Sequence, residues 1–70
     1  MRYFVAMIDF GRKGREAIVD PEITARGVVS RIQSGEYPRD RIAFIHCVED
    51  NICADVTEEM LNAASQQEAV

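Results

Sequence analysis

The chain has little of what small proteins use to reinforce a minimal core. It contains no tryptophan and only two cysteines, Cys47 and Cys53, too few for a disulfide scaffold. Its apolar runs stay far below the roughly 20 residues of a membrane span, and the run Tyr3 to Ile8 is too short for a signal peptide. We therefore expect no membrane association and a reducing, cytoplasmic compartment.

The length of 70 residues predicts one domain, spanning 1–70. At this size, folding buries only about 60% of the surface that the unfolded chain exposes, so additional burial is usually needed. Because disulfides are not expected, we expect a protein partner to supply this additional burial.

Basic residues are absent from the second part of the chain. Residues 1–41 contain all eight Lys and Arg beside six Asp and Glu, whereas residues 42–70 contain six acidic side chains and no basic one. This asymmetry favours electrostatic steering between subunits or toward a charged partner. The net charge of −4 argues against nucleic acid as the main ligand.

Alternating apolar side chains predict the first hairpin. The segment RYFVAMIDF has apolar residues on both faces of a strand, and EAIVD is a short second strand. The connection between them places Gly11 or Gly14 at a positive φ.

A helix is predicted next, with Asp20 as its N-cap, Pro21 at the first helical position and Gly35 as its left-handed C-cap. Gly27, inside this helix, indicates a close approach to the sheet. The apolar stripe of the helix is Ala25, Val28, Val29 and Ile32.

The segment from Ile42 to Asp55 predicts a second hairpin. We expect a strand from Ile42 to Glu49, a two-residue turn, and a return strand in which Asp55 lies opposite His46. Either Asp55 with Glu58 or Thr57 alone would cap the final helix. From about residue 66 onward we expect the helix to fray.

This order defines an α+β fold, β-β-α-β-(β)-α, with a mostly antiparallel sheet of three or four strands in the order 2-1-3 and two helices packed on one face. The other face would be uncovered and apolar, which favours a homodimer formed by contact between these faces or, as the second choice, by pairing of strand edges. An alternative is that the connection at residues 34–41 shields it. The candidate interface residues are Tyr3, Val5, Met7, Phe44 and Val48.

Two further sets of residues carry possible chemistry. Arg12, Lys13 and Arg15 beside two glycines could hold an anion, or they could form a solvated hairpin turn. His46 and Asp55, with Cys53 on the same face, could form a catalytic group, or only a cross-strand pair. The spacing predicts no metal site, and Cys47 and Cys53 fall on opposite faces.

The sequence therefore predicts a small non-enzymatic domain that acts by homodimerisation or by binding another protein, without a cofactor. The alternative is a regulatory module that binds an anion or nucleotide at Gly11–Arg15. Tyr37, Arg39 and Arg41 are expected to form an exposed aromatic and basic group of the kind enriched at protein contacts.

Overall fold

The computed structural model describes residues 2–20 and 23–68. It contains four strands and two helices, with short 3-10 turns at Gly11–Lys13 and Arg39–Arg41. The elements, in chain order, are β1 (Arg2–Asp9), β2 (Arg15–Asp20), α1 (Ala25–Ser34), β3 (Ile42–Glu49), β4 (Ile52–Asp55) and α2 (Thr57–Glu68).

The four strands form one antiparallel sheet in the order β2-β1-β3-β4. The predicted fold class and the order of the first three strands are therefore confirmed, and the fourth strand does form. β1 occupies a central position, between β2 and β3. The pairing of β1 with β3 shifts register between Met7 and Ile8, where the sheet has a bulge or irregularity.

Both helices cover the same face of the sheet. The strands supply Phe4, Ala6, Ile8 and Ile45 to the core. The covering layer supplies Val28, Val29, Ile32, Tyr37, Met60 and Ala64. Among the described residues, neither helix is long and apolar enough to cross a membrane.

The start of α1 differs from the prediction. Thr24 is the N-cap, and its hydroxyl accepts a 3.1 Å hydrogen bond from the backbone N–H of Gly27. Asp20 instead ends β2 opposite Phe4, and its carboxylate lies 3.0 Å from Arg31. The Asp20 cap was therefore wrong, because this residue belongs to the sheet; Pro21 lies outside the described residues.

The glycines of this region have different roles. Gly35 has φ 85° and donates to the carbonyl of Ile32, which confirms the predicted left-handed C-cap. The expected approach of Gly27 to the sheet is wrong. A Cβ at Gly27 would lie 2.8 Å from Cγ1 of Ile23, so the close neighbour is the segment that leads into the helix.

The connection between α1 and β3 also differs from the prediction. Tyr37 is only 2% exposed and belongs to the core, so the prediction that it is exposed was wrong, whereas Arg39 and Arg41 are exposed as expected. The Tyr37 hydroxyl accepts a 3.1 Å hydrogen bond from Arg31 in α1, and Arg39 donates to the Ser65 hydroxyl in α2 at 2.7 Å. These contacts hold the connection against the helices.

The second hairpin has the predicted register. Asp50 and Asn51 form its two-residue turn with φ 49° and 68°, as the favoured hairpin turns require. His46 pairs with Asp55, and Cys47 pairs with Ala54.

At the start of α2, Asp55 is the accepting residue, as the first alternative predicted, and Thr57 is already the first residue of the helix. The Asp55 carboxylate accepts hydrogen bonds from the backbone N–H and the hydroxyl of Thr57, the N–H at 2.9 Å. Glu58 takes no part in these bonds. The helix extends to Glu68. Part of the segment in which we expected fraying, residues 69 and 70, lies outside the described residues.

Candidate functional site

One face of the sheet carries side chains that point away from both helices, and we call it the open face. Its central row, across β2, β1, β3 and β4, consists of Val19, Val5, His46 and Asp55. The neighbouring rows supply Tyr3, Val48 and Cys53 on one side, and Ala17, Met7 and Phe44 on the other, with the charged pair of Asp9 and Arg15 in the row beyond.

The open face is broad, apolar and accessible. All five residues predicted as interface candidates lie on it: Tyr3, Val5, Met7, Phe44 and Val48. Each of these five is half-buried by its neighbours in the sheet, and Val19 on the edge strand is 51% exposed.

The dimensions of the molecule fit one sheet layer and one helix layer. The described residues extend over 34 × 34 × 18 Å, and a sheet and the layer packed on it are separated by about 10 Å. Tyr37, in the connection once expected to shield the open face, packs instead in the helix-side core. Within residues 2–20 and 23–68, the open face therefore has no covering element.

The basic turn between β1 and β2 is organised by an aspartate. The Asp9 carboxylate accepts a 2.8 Å hydrogen bond from the backbone N–H of Gly11 and lies 3.3 Å from the guanidinium of Arg15. The Gly11 bond, and secondarily Arg15, hold the pKa of Asp9 below its ordinary value. Gly11 and Gly14 both have positive φ, whereas the sequence predicted it at one or the other.

The three residues predicted to bind an anion are not equally available. Arg12 and Lys13 are exposed in the 3-10 turn, whereas the Asp9 carboxylate already lies against Arg15. A shallow pocket of about 470 Å³ lies beside this turn. It is lined by the basic Arg15 and Arg41, but also by the acidic Asp9 and Asp40. Because acidic and basic side chains are mixed here, the turn is a poor binding site for a free anion.

The sequence analysis missed the ion pair between Asp9 and Arg15, although the register of the hairpin could have predicted it. In the register that the hairpin requires, Arg15 lies directly opposite Asp9. Opposite charges at directly paired positions of antiparallel strands attract one another.

His46 has two close neighbours on the open face. Its Nδ1 lies 3.5 Å from Sγ of Cys53, and its ring stacks on Phe44 with the centroids 4.0 Å apart. The strand register places Asp55 opposite His46, but the Asp55 carboxylate is bound by Thr57. The structure thus brings His46 and Cys53 together and directs Asp55 toward the start of α2.

The two cysteines occupy different surroundings. Cys47 is half-buried on the helix side and packs against the core, whereas Cys53 is exposed on the open face, and both are free thiols. Among the residues that the structure describes, there is no group of three or more metal-ligating side chains.

Comparisons of the chain with protein-family models, with curated proteins and with solved structures find no match. The function must therefore be inferred from the surface that the fold presents.

Proposed function

We propose that this protein is a small non-enzymatic domain that acts by forming a homodimer through its open face. The observation that carries this proposal is the apolar open face, with Val5 and Met7 at its centre and no helix against it in the described part of the chain. The largest apolar patch on a small soluble protein is often its functional surface.

A second copy of the chain fits the size of this surface. With strands about 4.8 Å apart and about six residues per strand rising about 3.3 Å each, the open face measures about 400 Å² in projection. Pairing two such faces buries about 800 Å² or more once side-chain relief is included, which is below the roughly 1,200 Å² of standard specific interfaces and in the range of weak, transient ones. The expected dimer is therefore reversible rather than permanent.

The distribution of charge also fits a second copy. On the open face, Arg15 lies on the edge strand β2 and Asp55 on the opposite edge strand β4. A twofold axis parallel to the strands, between two packed sheets, places β2 of one subunit over β4 of the other. Arg15 then lies two rows along the strands from Asp55, at the end of the β4 edge where α2 begins with the acidic Glu58 and Glu59, and this proximity of unlike charges favours pairing with itself.

We place this function in a reducing, cytoplasmic compartment. Cys47 and Cys53 are unpaired and lie on opposite faces of the sheet. Free thiols, one of them exposed, are typical of proteins in such compartments.

The test is sedimentation equilibrium over a hundredfold range of protein concentration. The wild-type chain should show a reversible monomer–dimer equilibrium, and Val19→Lys should shift it toward the monomer because a charge is then placed on the open face. Ser30→Lys is the matched control, since Ser30 is exposed on α1. A wild-type protein that stays monomeric throughout, or equal weakening by both variants, would overturn the proposal.

A further inference from the structure

We propose that Cys53 is a modification site that undergoes thiol–disulfide exchange with small-molecule disulfides, with His46 as the acceptor of the thiol proton. The proposal starts from an exposed thiol whose sulfur lies 3.5 Å from Nδ1 of an imidazole. The attacking species in such exchange is the thiolate, so a neighbouring base increases the reactivity of a cysteine.

The sheet itself brings the two side chains together. Cys53 pairs with Val48 and His46 pairs with Asp55, so Cys53 and His46 are diagonal neighbours on the open face. Diagonal neighbours on adjacent antiparallel strands lie within reach of ring side chains. The pair is thus fixed by the register of a hairpin, and no flexible loop is needed to form it.

A neighbouring ring holds His46 in place for this role. The stacked Phe44 ring, inclined by 23°, restricts rotation of the imidazole. With the ring proton of the neutral form on Nε2, Nδ1 can accept a second proton from the thiol.

The reaction balances without any further reagent. The thiol proton passes to Nδ1, and the Cys53 thiolate attacks one sulfur of the disulfide. The sulfur–sulfur bond breaks, and the departing thiolate takes the proton from the imidazolium. The products are a mixed disulfide at Cys53 and one free small thiol.

The modification has a consequence that rests on the proposed function. A group attached to Cys53 projects from the open face beside Val48 and occupies the space that a second subunit would need. Thiol reactivity therefore connects the redox state of the surroundings to dimerisation.

The experiment compares three variants at pH 7 and at a concentration low enough for the monomer to dominate. Cys47→Ser retains Cys53, Cys53→Ser retains Cys47, and the third variant combines Cys47→Ser with His46→Gln. Release of pyridine-2-thione from 2,2′-dithiodipyridine reports the rate, and the same reactions in concentrated urea give the rate for the unfolded chain. Urea unfolding curves establish that each variant is folded.

We expect folded Cys53 to react about tenfold faster than Cys53 in the unfolded chain, and we expect His46→Gln to remove most of that advantage. Cys47 should react more slowly in the folded than in the unfolded protein. The proposal is overturned if folded Cys53 is no faster than the unfolded thiol, or if His46→Gln leaves its rate unchanged.

Sedimentation of the modified protein separates this proposal from the dimer. Rapid reaction without any change in association would refute the connection to dimerisation and leave the thiol site standing. A concentration-dependent dimer with an unreactive Cys53 would refute only the thiol site.

Discussion

The side-chain hydroxyl of Thr57 accepts a 2.8 Å hydrogen bond from the backbone N–H of Ile45 and thereby joins the first turn of α2 to β3. β4 ends at Asp55, and the N–H of Val56 donates to the carbonyl of Ile45 at 2.9 Å. At the next residue, the Thr57 side-chain hydroxyl accepts the hydrogen bond from Ile45 that a backbone carbonyl of β4 would otherwise accept. The ladder between β3 and β4 is thus completed by a side chain, and this fixes where α2 begins.

Removing the Thr57 hydroxyl should destabilise the protein measurably. Ile45 is fully buried, and an unpaired buried N–H costs about 1–3 kcal/mol. We therefore expect Thr57→Val to lower the free energy of unfolding by about that amount in urea titrations. Thr57→Ser keeps the hydroxyl and should retain most of the stability. Equal stability of the valine and wild-type proteins would contradict this role.

Through its hydrogen bonds to Asp55, Thr57 also makes the free energy of unfolding depend on pH. Its hydroxyl and then its backbone N–H lower the pKa of Asp55 below the ordinary value, with a smaller effect from His46. In the unfolded chain this carboxyl titrates near pH 3.9, about the value for a free aspartate. Because the folded pKa is the lower one, the stabilisation is present above the unfolded value and is lost as pH falls through the folded value.

Asp55→Asn should therefore flatten the decline of stability below about pH 4, where Asp55 begins to bind protons in the unfolded state. Thr57→Val removes one of the two donors and should flatten the decline only in part. Thermal unfolding between pH 2 and 6 measures both effects. A decline equally steep in Asp55→Asn and in the wild type would show that another carboxyl carries the acid sensitivity.

The β3–β4 hairpin shows what the sequence could predict. The predicted turn at Asp50 and Asn51 fixed the register, because a shift of one residue would have moved every apolar side chain to the other face. The pairing of His46 with Asp55, and the face on which Cys53 lies, followed from that register. The open face was predictable for the same reason, since alternation alone assigns residues to faces.

Contacts distant in the sequence were not predictable in this way. Tyr37 lies among polar neighbours and looks exposed in the sequence, yet its ring fills the helix-side core and its hydroxyl bonds to Arg31. Asp20 followed by proline is typical of a helix start. The pairing of Asp20 with Phe4 and its ion pair with Arg31 keep it in β2 instead, so tertiary contacts override the local signal.

Reversing the charge of Arg15 should reveal how the two subunits are oriented in the proposed dimer. If the twofold axis is parallel to the strands, Arg15 of one subunit approaches the β4 edge of the other, and Arg15→Glu places like charges there. Exposed ion pairs contribute about 0.2–1 kcal/mol each and the twofold axis repeats the interaction, so the dissociation constant should rise about two- to thirtyfold at low salt. The difference should shrink at high salt, because screening weakens interactions between exposed charges.

Arg26→Glu makes the same change of charge on the exposed part of α1 and is the matched control. If the axis were perpendicular to the strands, Arg15 would lie over the opposite end of the partner's β2, away from its acidic β4 edge, and sedimentation would show little change.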